Sequence, residues 1–404
     1  MTKKVLGISL ALILLVAGSV WFVFGDRIAR VQVVSSLFTG AEQIDNFNRM
    51  HMMFPVTTMP AAEQPYSFLV VETVPLPTEF IYRGEQVETA EFLARTDTGA
   101  VLVIKDGAIQ FEQYWRSGGQ TQTWLSMSVA KSFISALIGI AIEQGHIRDI
   151  NDPITDYAPE LAGSAYDNVA IKDILQMSSG ASWNEDYGDP ESDINRFARV
   201  FALGGSMNKF ATTLTREMAP GTYNRYNSTD TQALGMLLTA ATGRSITEYM
   251  IENLWHPMGA ENTGYWLTDA DNMEMAFGGL NITARDYAKL GELYRLGGAL
   301  NGHQIVPADW VSASIVADAP HLVPGDNPAS DWPLGYGHQW WIPEGTTGEF
   351  MAIGVYNQFI YIAPEADMVV VKLSANSAYG TPEDEGASSE FESIEFFRAT
   401  VSQQ

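Results

Sequence analysis

The chain has 404 residues, of which 46% are hydrophobic and 18% are charged, so it can bury a large core and is not globally disordered. Its 48 Asp and Glu residues outnumber its 23 Lys and Arg residues, and the net charge of −25 would repel phosphate backbones, which argues against nucleic acid as a partner. The sequence contains no cysteine, which excludes disulfide scaffolds, thiol nucleophiles and Cys-ligated zinc or iron–sulfur clusters.

The N-terminus carries a candidate membrane segment. Lys3 and Lys4 precede an uncharged run over residues 5–24, and about 20 apolar residues can cross a bilayer core as a helix. The two lysines favour a cytoplasmic start, so we expect the bulk of the chain to be exported to the periplasmic, extracytoplasmic side and anchored to the inner membrane. A cleaved signal peptide is the alternative, because residues 17–19 are small enough for a peptidase. Either interpretation assigns residues 1–25 to targeting.

The remaining chain divides into an extension and a main domain. Residues 26–90 have mixed composition and predict a tether with a first helix, whereas residues 91–404 carry regular patterns. Asp106-Gly107 separates two β-rich runs, which is a strong hairpin signal, and a nearly all-apolar helix and further helical patterns follow. QFIYIAPE and ADMVVVKLSAN predict a second hairpin, before a final helix around Glu392–Thr400. This order predicts an α+β fold with one antiparallel sheet, terminal helices and a mostly helical subdomain.

The Ser-x-x-Lys formed by Ser128 and Lys131 stands at the start of the apolar helix and is the candidate catalytic motif. Residues i and i+3 lie on one helical face, so the lysine is expected one turn from the serine hydroxyl. A desolvated ammonium group can lose its charge and then take the serine proton. The Ser128 N–H at the helix N-terminus can also stabilise an oxyanion. A second copy, Ser206 to Lys209, has no buried helix behind it, so we interpret it as coincidence.

Tyr226 belongs to a second candidate element, a loop that follows Pro220-Gly221 and precedes a helical pattern. A phenol beside a cation can act as a proton shuttle. Tyr166 also begins a Tyr-x-Asn tripeptide, so the tripeptide alone does not select a residue. We prefer Tyr226 because a turn before it and a helix after it would hold its loop rigid.

Gly354 opens the C-terminal strand pair and forms the third candidate element. A glycine in a strand permits a ligand to approach the backbone closely, so Gly354 is a candidate substrate-binding residue. The next N–H group, from Val355, is then a candidate second oxyanion donor. An ordinary edge-strand glycine is the alternative.

Together these residues resemble those of the serine β-lactamase and penicillin-binding-protein superfamily, most closely its class C-like esterases and 6-aminohexanoate-dimer (nylon-oligomer) hydrolases. The likeness covers about residues 90–400 and rests on SMSVAKSF, PGTYNRYNSTDTQALG, FGGLNITARDYAKLG, GYGHQWW and AIGVYNQFIYIAPEADMVVVKLS. The resemblance implies a β-lactamase/transpeptidase-like fold. It also implies that Ser128 is acylated, that Lys131 accepts its proton and that Tyr226 passes a proton to the leaving group.

The same resemblance nominates residues around the substrate. Ser128 and Val355 would form the oxyanion hole through their N–H groups. Tyr187, in the segment WNEDY, resembles a tyrosine that reaches the substrate amide, and Trp341 would wall the acyl pocket. Ser228 stands where the family more often has Asn and would contact the leaving group.

Ala352-Ile353-Gly354 departs from the Lys-Thr-Gly that penicillin-recognising members carry on this strand. The missing lysine and threonine remove the groups that grip a β-lactam carboxylate, so the expected substrate is a small neutral ester or linear amide, cleaved through an acyl-enzyme. A D-amino-acid peptidase or β-lactamase is one alternative. A membrane-tethered, non-catalytic binding module on the same fold is another, but the presence of both Lys131 and Tyr226 favours an enzyme.

Other hydrolase classes lack support in the sequence. A Ser-His-Asp hydrolase of the α/β type carries a Gly-x-Ser-x-Gly elbow, which this sequence does not contain. The six histidines form no His-Glu-x-x-His motif, so no metal and no cofactor are predicted. Among the histidines, His338, which is close to Trp340 in sequence, is the candidate residue of the cleft.

Overall fold

The computed structural model describes residues 37–38, 40, 42–384 and 388–403. The predicted membrane segment, residues 5–24, lies outside these ranges. Within them, no helix combines the length and the apolar character that crossing a bilayer requires. Export and anchoring of the chain therefore stay predictions from the sequence.

The described residues form helices and strands that are numbered here in chain order. The helices are α1 Gln43–Met53, α2 Thr89–Arg95, α3 Ala130–Glu143, α4 Ile171–Leu175, α5 Asp193–Ala202, α6 Met207–Ala211, α7 Ser228–Thr242, α8 Ile246–Met250, α9 Ala284–Arg295, α10 Ala308–Ser314 and α11 Ser388–Gln403. The strands are β1 Val56–Met59, β2 Leu69–Val70, β3 Glu79–Tyr82, β4 Glu85–Glu88, β5 Thr98–Lys105, β6 Ala108–Tyr114, β7 Trp124–Leu125, β8 Gly264–Leu267, β9 Leu280–Ile282, β10 Ala299–Leu300, β11 His303–Gln304, β12 Gly335–Tyr336, β13 Trp341–Ile342, β14 Phe350–Gly354, β15 Gln358–Ala363 and β16 Met368–Ser374. Most of the longer strands lie near the ends of the described chain and most of the helices in its middle, as the α+β prediction requires.

The largest sheet of the described chain has eight strands in the order β12-β13-β14-β15-β16-β5-β6-β2. Both predicted hairpins are confirmed, because β5 pairs antiparallel with β6 around Asp106-Gly107 and β15 pairs antiparallel with β16. The prediction of a wholly antiparallel sheet is wrong at one edge, where β2 runs parallel to β6. Parallel pairing needs a long connection, and β3, β4, α2 and β5 supply it between these two strands.

Successive side chains of the central strands point to opposite faces of the main sheet, and both faces are buried. On β5, Leu102 and Ile104 belong to one core cluster, whereas Val101 and Val103 belong to the other. Helix α9 packs against β15 and β16 on the first face. Helix α11 contributes its aromatic side chains to the cluster on the second face. The final helix predicted from the sequence is thus confirmed, with wider bounds than expected.

A second sheet has four strands in the order β1-β8-β9-β7, and its strand β7 lies just before Ser128 in sequence. Strand β1 comes from the N-terminal extension and pairs antiparallel with β8. Strand β7 pairs with β9 and ends at Leu125, shortly before Ser128. The ring of Trp124 in β7 packs against Phe47 of α1, with centroids 5.3 Å apart. The described part of the extension therefore shares a core with the main domain.

Candidate active site

A cavity of about 610 Å³ lies beside the start of α3. Among the residues that line it are five of those predicted from the sequence: Ser128, Tyr187, Tyr226, Trp341 and Val355. Three further predicted residues lie behind this lining: Lys131 contacts Ser128, Ser228 contacts Lys131, and Gly354 packs against the turn before Ser128. The folded chain therefore brings together predicted residues that are up to 227 positions apart in sequence, from residue 128 to residue 355.

Ser128 projects from a sharp turn. The 3-10 turn Met127–Val129 runs directly into α3, so the serine stands at the start of a buried helix as its motif predicts. Met127 has a φ of 45°, in the left-handed region that costs a residue with a Cβ about 1–2 kcal/mol. The preceding Ser126 N–H donates to the carbonyl of Leu280 at 2.7 Å and so ties the turn to β9. Ser128, which follows Met127 in this turn, lines the cavity.

The Lys131 amine is almost fully buried and has three polar neighbours. Its Nζ lies 2.8 Å from Ser128 Oγ, 3.1 Å from Ser228 Oγ and 3.0 Å from the carbonyl oxygen of Phe277. The hydroxyl of Ser128 is therefore within proton-transfer reach of the amine.

Burial lowers the pKa of Lys131 to about 7, and the negative charges of Glu185 and Asp230 partly oppose this shift. Desolvation dominates because the charged form loses its hydration in the core. A substantial fraction of the amine is thus uncharged near neutral pH. An uncharged amine at hydrogen-bond distance from a serine is the arrangement that a general base requires.

Tyr226 is held by aromatic packing beside the nucleophile. Its ring stacks on Trp341 with centroids 5.0 Å apart and meets Tyr336 edge-on at 6.2 Å. Lys131 Nζ lies 5.0 Å from the Tyr226 ring centroid. Burial raises the pKa of Tyr226 well above its ordinary value, and a hydrogen bond with the Ser128 side chain opposes part of this rise. The phenol consequently keeps its proton and can act as a donor.

The competing motif copies have structural roles elsewhere. Tyr166 is buried and donates a hydrogen bond to Asp230 Oδ1 at 2.9 Å, behind the cavity lining. Ser206 caps the short helix α6, where its hydroxyl accepts from the Lys209 N–H. The Lys209 side chain is 81% exposed and lies 3.5 Å from Asp271. These placements agree with the preference for Ser128, Lys131 and Tyr226.

Gly354 packs against the turn that precedes Ser128, and its contact with a substrate stays a prediction. A Cβ at this position would lie 2.8 Å from the carbonyl oxygen of Ser126 and 3.1 Å from Met127 Cβ. The glycine thus admits the protein's own nucleophile turn to the strand backbone. This close packing brings Val355, at the end of β14, to the same cavity as Ser128. The two predicted oxyanion donors, Ser128 and Val355, therefore line the same cavity, and their contact with a substrate carbonyl stays a prediction.

We expect Gly354→Ala to lower the free energy of unfolding by about 1–3 kcal/mol, because the added methyl group must push the Ser126 backbone away. The measurement is a thermal or denaturant unfolding curve. Gly278→Ala is the matched control: its Cβ would also face Met127, but at an ordinary 3.6 Å. An equal loss in the two variants would contradict the proposed packing role of Gly354.

Tyr187 and Trp341 both line the cavity. The Tyr187 hydroxyl donates to Glu185 Oε1 at 2.9 Å, and its ring meets Tyr379 edge-on at 6.3 Å. The Trp341 ring stacks on that of Tyr226. Burial raises the pKa of Tyr187 well above its ordinary value, so its hydroxyl stays a donor. Contacts of Tyr187 and Trp341 with a substrate stay predictions.

Ser228 lies behind the cavity wall, where it bridges two charged residues. It is fully buried at the N-terminus of α7, and its Oγ lies 3.1 Å from Lys131 Nζ and donates to Glu185 Oε1 at 2.6 Å. Its backbone N–H donates to Glu185 Oε2 at 3.0 Å. The resemblance predicts a leaving-group contact for Ser228, whereas these distances connect it to the base.

Sequence reasoning missed Glu185 altogether. The sequence analysis selected only the tyrosine of its segment. The one signal for Glu185 in the sequence is a carboxylate between two aromatic residues, Trp183 and Tyr187. In the fold, Glu185 lines the cavity and accepts hydrogen bonds from Trp183, Tyr187 and Ser228. No spacing rule connects residue 185 with a helix that begins at residue 228.

The cavity lining is acidic. Its one arginine, Arg225, is paired with Glu217 at 2.8 Å and with Asp331 at 3.4 Å, so its charge is compensated. Two more carboxylates, Glu185 and Asp186, line the cavity, together with Glu390, whose pKa burial raises to about 8 so that it is mostly uncharged near neutral pH. The cavity therefore disfavours anionic ligands.

Among the described residues, no group of three or more His, Asp and Glu side chains could hold a metal ion. His338 does not line the cavity as considered from the sequence, but is buried, with its ring 5.0 Å from that of Trp310. Burial lowers the pKa of His338 to about 4, so it stays uncharged near neutral pH.

Comparison with known proteins gives a consistent assignment. The Beta-lactamase family model matches residues 89–390. The chain is 31% identical over 325 residues to the 6-aminohexanoate-dimer hydrolase of Paenarthrobacter ureafaciens, which covers 74% of this chain and 82% of that protein.

Two solved structures show the same fold. A Bacillus anthracis protein, provisionally described as a 6-aminohexanoate-dimer hydrolase, superposes with a TM-score of 0.78 at 23% identity over 90% of this chain and 96% of its own. A penicillin-binding-protein homologue from Caulobacter crescentus superposes with a TM-score of 0.57 at 15% identity over 77% and 97% of the two chains. The chain thus belongs to the β-lactamase family and is a serine hydrolase of the β-lactamase and penicillin-binding-protein type.

Proposed function

We propose that this protein forms an acyl-enzyme on Ser128 and hydrolyses small esters or linear amides. The observation that carries the proposal is the 2.8 Å approach of the buried Lys131 amine to the Ser128 hydroxyl at the edge of a cavity, with a pKa lowered to about 7. The relative from Paenarthrobacter ureafaciens, named for hydrolysis of a linear amide, supports the choice of substrate class.

The geometry of the site supports the following acylation step. Ser128 Oγ attacks the carbonyl carbon of the substrate while its proton moves to Lys131 Nζ. The oxyanion forms where the N–H groups of Ser128 and Val355 can donate to it. Tyr226 then gives its proton to the leaving alkoxide or amine and recovers one from Lys131. The ester bond to Ser128 replaces the bond to the leaving group.

Deacylation reverses the proton movements. A water molecule attacks the acyl carbon from the cavity side and gives its proton to the Lys131–Tyr226 pair. The bond between the acyl carbon and Ser128 Oγ breaks, and Ser128 recovers its proton. The free acid leaves with a carboxylate that the acidic cavity does not retain.

The cavity also favours one class of substrate. Its carboxylates and its compensated arginine disfavour an anionic group close to the scissile bond. Ala352 stands at the strand position where β-lactam-recognising members carry a lysine. A neutral acyl group, or one that carries a protonated amine as 6-aminohexanoate does, fits this environment better than a β-lactam carboxylate.

The proposal is tested by labelling the purified protein with a fluorophosphonate probe and locating the modified residue by mass spectrometry. We expect one adduct on Ser128, together with hydrolysis of p-nitrophenyl butyrate, and neither in Ser128→Ala. Ser206→Ala, the serine of the second Ser-x-x-Lys, is the matched control and should keep both. Ester hydrolysis that persists in Ser128→Ala would refute the assignment.

Export and membrane attachment through residues 5–24 belong to the same proposal. They rest on Lys3, Lys4 and the apolar run that follows. A hydrolase exposed outside the cytoplasm would meet small esters and amides before they enter the cell.

A further inference from the structure

The direction of the hydrogen bonds at Lys131 is determined by its neighbours. An uncharged amine has two hydrogens and one lone pair, and Lys131 Nζ has three polar atoms around it: Phe277 O, Ser228 Oγ and Ser128 Oγ. The Phe277 carbonyl can only accept, so it takes one hydrogen. Whether the lone pair faces Ser128 or Ser228 then depends on the hydroxyl of Ser228.

Glu185 decides how the Ser228 hydroxyl is oriented. A carboxylate is an acceptor only, so the Ser228 hydroxyl hydrogen points to Glu185 Oε1 at 2.6 Å. Ser228 Oγ can then offer only a lone pair to Lys131, and it takes the second amine hydrogen. The lone pair of Lys131 is left for the hydroxyl of Ser128. This is the arrangement in which the amine can accept the proton of the nucleophile.

Glu185 is itself held in place by several donors. The Ser228 N–H donates to Oε2 at 3.0 Å, and the Tyr187 hydroxyl donates to Oε1 at 2.9 Å. The indole N–H of Trp183 also donates to Oε2. The carboxylate lies at the N-terminus of α7, a helix of 15 residues whose dipole favours a negative charge there. Its position is therefore set independently of any substrate.

We propose that Glu185 is a positioning residue for acylation, which acts through Ser228 to direct the lone pair of Lys131 at Ser128. The inference rests on the proposed acyl-enzyme mechanism and adds to it a residue that the nucleophile, base and proton donor do not include. Three other titratable residues lie near Lys131, Ser228 and Glu185. They are Asp230 on α7, Tyr226 in its loop, and Tyr187, two residues after Glu185.

The main test combines kinetics with a pH profile of Glu185→Gln. Glutamine can donate its amide hydrogen to Ser228 Oγ, which turns the serine hydroxyl toward Lys131 and occupies the lone pair. We expect kcat on p-nitrophenyl butyrate to fall roughly 10- to 100-fold, as when a charge-assisted hydrogen bond is lost. The acid limb of kcat/KM should also move to lower pH, because removing the Glu185 charge lowers the pKa of Lys131 further.

A double-mutant cycle identifies the route of the effect. Ser228→Ala removes the bridge, so Glu185→Gln should cost little more in that background than Ser228→Ala costs alone. Losses that multiply would show that Glu185 acts on the substrate directly and would overturn the proposal. Wild-type kcat and an unshifted acid limb in Glu185→Gln would overturn it as well.

Two further variants complete the design. Glu191→Gln removes an exposed carboxylate from the same segment and should leave kcat and the pH profile unchanged. Glu185→Asp keeps the charge but shortens the reach to Ser228, so a lower kcat with an unshifted acid limb is expected even if Glu185→Gln does not fold. Failure of the wild type to take up the fluorophosphonate would instead refute the acyl-enzyme mechanism, which is a distinguishable result.

Discussion

Lys131→Met should lose at least about 10³-fold in kcat/KM while the folded protein becomes more stable near pH 6, because it removes the base together with a buried charge. Methionine has nearly the length of the lysine stem and fits an apolar site beside Phe277. No other amine lies at hydrogen-bond distance from Ser128 Oγ in the described part of the chain. The loss should therefore appear on ester and amide substrates alike.

The gain in stability has a definite pH dependence. Lys131 has a pKa of about 7 in the folded protein against an ordinary value of 10.5, so the unfolded chain binds more protons between these pH values. The lysine therefore destabilises the fold fully below pH 7, and the penalty disappears as the pH rises toward 10.5. Methionine removes this penalty but leaves the Phe277 carbonyl without its donor, at a cost of about 1–3 kcal/mol. We expect a net gain of roughly 1–3 kcal/mol at pH 6 and no gain at pH 10.

The chain provides a matched control in Lys372, a second fully buried lysine. Its Nζ lies 2.8 Å from Ser374 Oγ on β16, away from the cavity lining, and burial lowers its pKa to about 7. Lys372→Met should show the same pH-dependent gain in unfolding free energy with nearly unchanged turnover. The measurements are denaturant unfolding at pH 6 and pH 10 and ester hydrolysis. Near-wild-type hydrolysis by Lys131→Met would eliminate it as the base.

Local features of the fold could be predicted because neighbouring residues determine them. Asp106 and Gly107 both adopt positive φ, of 50° and 77°, which is why this pair marks the β5–β6 hairpin. The i and i+3 spacing of Ser128 and Lys131 places both on one side of a helix start. The apolar run that follows them in sequence predicts that the amine is buried. Each of these inferences needs fewer than about ten consecutive residues.

The rest of the site could not be predicted, because it depends on contacts between distant segments. Ser228 was assigned to the leaving group, whereas the fold inserts it between Lys131 and Glu185. Gly354 was assigned to a ligand, whereas the carbonyl of Ser126 occupies the space above it. In both cases the residue type was informative, but its neighbour came from more than 40 positions away. A pattern within one segment does not identify such a neighbour.

Tyr226→Phe tests the proposed proton donor, and its effect on the rate should depend on the leaving group of the substrate. The substitution removes the hydroxyl and keeps the ring that packs on Trp341. Because burial raises the pKa of Tyr226 well above its ordinary value, the phenol is a proton donor near neutral pH. An amine leaving group needs that proton, whereas p-nitrophenolate departs without one. We expect kcat/KM to fall about 10²- to 10⁴-fold on a linear amide and roughly tenfold on a p-nitrophenyl ester.

Comparing the two substrates separates the loss of a proton donor from a distorted cavity, since a distorted cavity would lower both rates by the same factor. Tyr336→Phe removes a buried phenol from the same aromatic cluster, where its ring lies 6.2 Å from that of Tyr226, and should leave both rates nearly unchanged. Equal losses of Tyr226→Phe on amide and ester would assign the phenol to orienting Ser128, with which it shares a hydrogen bond. A larger loss on the amide follows only if the proton of Tyr226 reaches the departing nitrogen.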